Sequence, residues 1–207
     1  MGVRRGTGNL LKQLLAVGAL ALLLVACASP TDKSRSVGGQ GATTTVRTFA
    51  AYDAKGNLTV NVADVSAGKC WTSSIADPRA DAYRCWSGNK ILDPCFAPSG
   101  KAAPNSVACL ADPWSDALVL NLTEPLPHVT PVAAGIRPWA LQLDNGVRCV
   151  ASTGMVPSVK GVNLAFRCTN GAAADVVNAR ATAVTANYGW PKGKTLLQRS
   201  VTTMWRG

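Results

Sequence analysis

The chain has 207 residues, enough for one domain with a core of its own, and carries 21 Lys and Arg against 11 Asp and Glu, a net charge of +10. A single histidine and the absence of any C-x-x-C pair among seven cysteines exclude the usual zinc sites and a thioredoxin-like redox role. No nucleic-acid motif accompanies the basic charge, so nucleic acid is not an expected partner, and no cofactor is implied.

Arg4, Arg5 and Lys12 precede an apolar run from Leu14 to Val25 that is too short for a spanning helix, so residues 1–26 read as an export signal. Twin-arginine export needs an apolar residue soon after the pair, and Gly6-Thr7-Gly8 stands there instead. Leu24-Val25-Ala26-Cys27 resembles the lipobox of bacterial lipoproteins, whose cysteine thiol receives a diacylglyceryl group and becomes the first mature residue. The resemblance implies lipid attachment at Cys27 and residence on the extracytoplasmic face of the cell membrane, an anchorage that two acyl chains make stable. The competing reading is plain secretion with cleavage near Ala28. Residues 27–44 follow as a linker rich in Ser, Thr, Gly and charge, with a reach of roughly 55 to 60 Å. Residues 45–207 then form a single extracytoplasmic domain, without a tandem repeat of fixed period or a second linker.

In that domain VRTFAAY (46–52) and LTVNV (58–62) flank the turn-rich Asp53-Ala54-Lys55-Gly56-Asn57, which predicts a hairpin. In ADPRADAYRCWSG, Asp77 as cap, Pro78 at the first helical position and Gly88 as stop predict a helix of about two turns, with Tyr83 and Trp86 packed on sheet. Further strands are predicted at 117–122, 179–188 and 196–205. Between Trp139 and Cys168 the three-residue loop Asp144-Asn145-Gly146 is preferred to a two-residue turn, because it pairs Leu143 with Val147 and Leu141 with Cys149. If Cys149 lies across from Cys168, the return turn falls near Ser158-Val159. Val147, Cys149, Ala151 and Met155 then share a face with Val162, Leu164, Phe166 and Cys168.

Six cysteines in a chain sent to an oxidising space read as three disulfides. The sequential pairing, Cys70 with Cys85, Cys95 with Cys109 and Cys149 with Cys168, is favoured because it closes short loops, each contributing about 3 kcal/mol. The fold class is mainly β, with α+β as the alternative: a single disulfide-stapled domain of antiparallel sheet with one or two short helices.

Charge is the most informative chemical signal. From Cys27 to Asp144 ten Lys and Arg face ten Asp and Glu, whereas from Asn145 onward eight basic residues face only Asp175. In the register above, Arg148 and Arg167 are diagonal neighbours on the outward face, which makes them the candidate anion-binding pair. Anionic lipid headgroups or phosphate-bearing wall polymers are the candidate ligands, and a solvated basic surface is the plain alternative. Of six tryptophans most are expected in the core, Trp71 and Trp86 beside their cysteines included; Trp190, in NYGWPKGK, is the expected exposed one.

Catalytic patterns are weak. Ser66-x-x-Lys69 and Ser87-x-x-Lys90 fit the spacing of penicillin-recognising enzymes, but no K-T-G follows and neither opens a convincing helix. No G-x-S-x-G is present, and His128 stands alone in a proline-flanked loop. A carboxylate-pair hydrolase could draw on ten aspartates and Glu124, with Asp77 and Asp81 sharing a helix face, but a cap and a solvated ion pair account for those two equally well.

The run GKCWTSSIADPRADAYRCWSGNKILDPCF, with VACLADPW and PWALQLDNGVRC, resembles uncharacterised secreted and lipid-anchored proteins of high-GC Gram-positive bacteria. This resemblance implies an extracellular address and paired cysteines, and carries no catalytic or binding residue with it. The expected function is that of a non-catalytic binding or accessory module of the cell envelope, for an anionic polymer or a protein partner. The alternative is an envelope hydrolase acting through Asp carboxylates.

Overall fold

In the computed structural model the described residues are 43–100, 103–129, 137–179 and 181–206. The expected leader, Cys27 and nearly all of the expected linker lie outside them.

The strands are β1 (Thr45–Thr48), β2 (Val62–Ser73), β3 (Ala82–Ser87), β4 (Lys90–Phe96), β5 (Ser106–Cys109), β6 (Ala117–Leu122) and β7 (Ala140–Leu143). They continue as β8 (Arg148–Ala151), β9 (Ser158–Val159), β10 (Val162–Asn163), β11 (Phe166–Cys168), β12 (Ala173–Val177), β13 (Thr185–Gly189) and β14 (Leu197–Arg206). No helix occurs among the described residues. The domain is therefore mainly β, and two closed meanders divide it.

Strands β2 to β6 form a barrel in sequence order. Each hairpin reverses the chain, so the first and fifth strands run the same way and the closing pair β2–β6 is parallel. Strands β7, β8, β11, β12, β13 and β14 form a second ring; with six strands the closing pair β14–β7 is antiparallel. Between β8 and β11 the chain makes a miniature hairpin, β9–β10. β14 bends away from β13 after Ser200, and β1 takes over the vacated edge in parallel. Thr44 fills the gap: its backbone N–H donates to Thr182 O, and its hydroxyl donates to Val201 O while accepting from Val184 N. Thr44, the last residue of the expected linker, is thereby bonded into the second ring.

All three disulfides join residues directly opposite on neighbouring strands: Cys70–Cys85, Cys95–Cys109 and Cys149–Cys168. The predicted three-residue loop also forms, with Leu143 N–H donating to Val147 O and Leu141 opposite Cys149.

Several expectations are corrected. The helix over 77–88 is a loop followed by β3, because Cys85 must lie across from Cys70 and a strand delivers it there with Tyr83 and Trp86, both good strand residues. Asp77 does organise a turn, Arg79 N–H donating to its carbonyl. The hairpin around Asp53–Asn57 shrinks to one bridge, Tyr52 with Leu58, because β1 leaves for the second ring while β2 builds the first. The return turn lies at Lys160-Gly161, two residues beyond its expected place, and Met155 lies on the surface rather than on the core face. Antiparallel pairing is not universal, as β2–β6 and β1–β14 show.

A recurrence accompanies the two rings. Ala82-Tyr83-Arg84-Cys85-Trp86-Ser87-Gly88 and Ala165-Phe166-Arg167-Cys168-Thr169-Asn170-Gly171 share the pattern A-[YF]-R-C-x-x-G. Each builds the second strand of a disulfide-bridged hairpin and ends in a glycine of positive φ, 60° and 80°, that turns into the next strand.

One core fills the second ring and the joint between the rings, where Phe49, Phe96 and Trp139 pack with centroids 5.0 to 5.6 Å apart. Arg79 covers this trio, its guanidinium 4.5 Å from the Phe96 ring centre and donating to Phe49 O. A second core fills the first barrel, where two disulfides lie side by side.

Candidate functional site

The first barrel is open at the end where β3 and β5 begin and β4 and β6 finish. A groove of about 690 Å³ lies there, walled by Pro98, Pro104, Pro125 and Pro127, with Asp81, Tyr83, Asn105, Glu124 and His128 among its polar groups. Proline fixes φ, which limits the backbone freedom of these walls at four positions. Burial, aided by the Asp81 carboxylate, raises the Tyr83 phenol above its ordinary value and keeps it a neutral donor. Asp81 is paired with Arg79 at 2.8 Å, and Glu124 with Lys69 at 2.8 Å.

Thr123 and Glu124 also line a second hollow, about 460 Å³, whose other walls include Gly68, Lys69 and Trp86. Trp86 is 42 % exposed and Trp71 37 % exposed, and their rings lie 4.6 Å apart at 35°. The guanidinium of Arg84 lies over Trp71 at 5.7 Å. These two tryptophans were expected in the core. Side chains alternate along a strand, so with Cys85 turned into the barrel its neighbour Trp86 must turn out, level with Lys69 on β2. The same parity was available in the sequence, but was masked by the helix assignment. Gly68 makes the arrangement possible: a Cβ there would stand 2.1 Å from the Trp86 carbonyl oxygen.

Asp93 supports this wall from behind. Its carboxylate accepts from Ser74 Oγ at 2.5 Å and from Ile75 N–H, with Arg84 Nε 3.6 Å away. Ser74 Oγ in turn accepts from Asp77 N–H, so one buried acid shapes the loop from β2 to β3. Burial raises the Asp93 pKa above its ordinary value, against the opposing hydrogen bonds and Arg84.

Arg148 and Arg167 are exposed and diagonal across β8 and β11, Arg167 standing opposite Val150. Their surroundings differ. Arg148 lies over the Trp114 ring at 5.0 Å, and Trp114 packs on Trp205, so this guanidinium covers the joint between the rings. Arg167 borders a cleft of about 520 Å³ that also contains Asp64, Asp93 and Asp116. Trp190 is exposed at 49 %, edge-on to Tyr188 at 5.4 Å.

Ser66 and Lys69 lie three apart on β2 and so face opposite ways, whereas Ser87 and Lys90 are cross-strand partners on either side of the β3–β4 turn. Ser66 and Ser87 instead bond to each other at 2.6 Å, and Lys69 is held by Glu124. Among the described residues the group of metal-type ligands is Cys85, Cys95 and Cys109, all oxidised in disulfides and so without a thiolate to offer. His128 stands on the groove rim.

Comparison with known proteins matches the chain to no family model, no curated protein and no solved structure.

Proposed function

We propose that the domain is a non-catalytic binding module of the cell envelope, tethered to the membrane through Cys27, and that it holds a saccharide-bearing envelope polymer on Trp71 and Trp86 and in the adjoining groove. The exposed tryptophan pair carries the reading. Two indole rings left together in water, with the exposed Ile91 opposite Trp86, form an apolar patch that marks a contact surface. Sugar rings offer an apolar C–H face to such a surface and hydroxyls to its rim. Lys69 and Glu124 supply a donor and an acceptor side by side there, and the proline walls lower the ordering cost of binding. A protein partner could use the same rings, but the polar rim of the small hollow favours a hydroxyl-rich ligand.

A hydrolase would need one carboxyl group held protonated in an apolar setting and another free to attack or to activate water. Asp81 and Glu124 line the groove, and each is occupied by a cation. That favours binding over turnover in the groove, and in the cleft that holds Asp64, Asp93 and Asp116 the buried Asp93 is likewise engaged, by Ser74 Oγ and the Ile75 and Ala76 N–H groups.

The test is calorimetric titration of the protein with solubilised cell-wall glycan fragments. Micromolar to millimolar binding is expected, weakened at least tenfold by Trp86→Ala and unaffected by Trp190→Ala. Undiminished affinity in Trp86→Ala would overturn the site. Release of reducing ends that Glu124→Gln abolishes would overturn the non-catalytic reading in favour of the hydrolase.

A further inference from the structure

A second surface lies on the other ring. The β9–β10 hairpin turns through Lys160 and Gly161, both at positive φ (51° and 77°), the backbone of a two-residue primed turn, which places a lysine at its tip. Beyond β13, Gly193 N–H donates to Trp190 O at 2.7 Å, closing a turn around Pro191 and Lys192 and holding Trp190 outward. The two loops stand together. Val159 of the hairpin packs in one cluster with Leu196 of the other loop, and a Cβ on Gly189 would meet Thr195 O at 2.8 Å and Val159 at 3.7 Å. Met155 and Pro191 wall a single apolar hollow of about 370 Å³, with Arg167 at its edge.

This end of the ring presents Met155, 96 % exposed, and Trp190 beside the exposed cations Lys160, Lys192, Lys194 and Arg167. Between Asn145 and the chain end the one carboxylate is Asp175, half-buried on β12 with Arg137 acting on it. We infer that these loops dock on an anionic lipid bilayer, Met155 and Trp190 entering the headgroup boundary while the lysines meet lipid phosphates. Charge complementarity selects an anionic partner. The fully exposed thioether selects lipid over a hydrophilic polymer, because a water-soluble polyanion gives an unbranched apolar side chain nothing to enter, whereas an interface accepts Trp and Met together. The surface is separate from the tryptophan pair of the first barrel, so the inference stands or falls without the saccharide reading.

Methionine oxidation reads this contact in the full chain. The sequence holds Met1, Met155 and Met204; Met204 is fully buried and serves as the internal control. The protein is mixed with, or reconstituted into, vesicles of phosphatidylcholine alone or with phosphatidylglycerol, treated with peroxide, and sulfoxide at each methionine is followed by mass spectrometry. Met155 should oxidise several-fold more slowly on the phosphatidylglycerol vesicles. Replacing Lys160, Lys192 and Lys194 with Glu should abolish that protection with Met204 still resistant, since each lysine is worth about fivefold in partition to an anionic surface. Equal oxidation on both vesicles would overturn the inference. So would protection by soluble anionic wall polymer at a level matching or exceeding that of lipid.

Discussion

Asp93 shows how much one buried group can decide. Its side chain is almost fully enclosed, yet it collects a hydroxyl, backbone N–H groups and a guanidinium, so truncation would leave several donors without an acceptor. Asp93→Ala is expected to cost about 3 kcal/mol in urea denaturation. The pH dependence has a definite sign. Because the folded-state pKa is raised above 3.8, the folded protein binds the proton more tightly than the unfolded chain. Its contribution to stability is therefore greatest below 3.8 and declines as pH rises from there through the raised value, then levels off. Stability of the wild type relative to Asp93→Asn, measured across that interval, should fall with rising pH; a rising or flat difference would contradict it. Gly68 is the second sensitive position. Gly68→Ala forces β2 away from the Trp86 carbonyl and should lower stability by about 3 kcal/mol while disrupting the adjoining hollow, which thermal melts and glycan titration would both record.

Among the strands, the three disulfides are equivalent in loop length, with separations of 15, 14 and 19 residues, but not in surroundings. Chain entropy alone predicts about 3 kcal/mol for each. Cys95 and Cys109 fill the middle of the first barrel beside Cys85, with their sulfurs within 4.8 Å of one another, whereas Cys168 is only partly buried. Replacing Cys95 and Cys109 together with Ala should therefore destabilise the protein more than replacing Cys149 and Cys168, since a core void adds to the lost cross-link. Paired chemical denaturation curves check the order. The hairpin at Asp144–Gly146 was legible because parity and loop length left one register that kept Leu141, Leu143 and Cys149 on the buried face. The β2–β3 connection was not legible in the same way. Its Asp-Pro start imitates a helix opening, and only the cross-strand partner of Cys85 reveals that the segment is extended.

At the scale of the molecule, the rings are joined by two aromatic contacts: Phe49, Phe96 and Trp139 on one side, Trp114 against Trp205 on the other. Trp139 is almost wholly enclosed in a core that draws residues from both rings. The described domain should accordingly unfold in one transition, and Trp139→Ala should lower its stability by about 4 kcal/mol. Two resolved transitions in the wild type would show that the joint does not couple the rings. The proposed binding surface and the proposed lipid-facing loops then belong to different rings of one molecule.

What the order of residues determined by itself was local: mainly β structure, the cysteine pairs, the Asp144–Gly146 loop, the strand at Ala117–Leu122 and the exposure of Trp190. Each of these follows from parity, turn chemistry or short sequence separation, which act between near neighbours. Closure was decided only in three dimensions. Strand β2 finds β6, β14 finds both β7 and β1, and Arg148 finds Trp114, all through contacts between residues far apart in sequence that no local pattern specifies. The candidate site belongs to that second kind. Lys69 and Glu124 are 55 residues apart, and it took a closed barrel to set them beside Trp86.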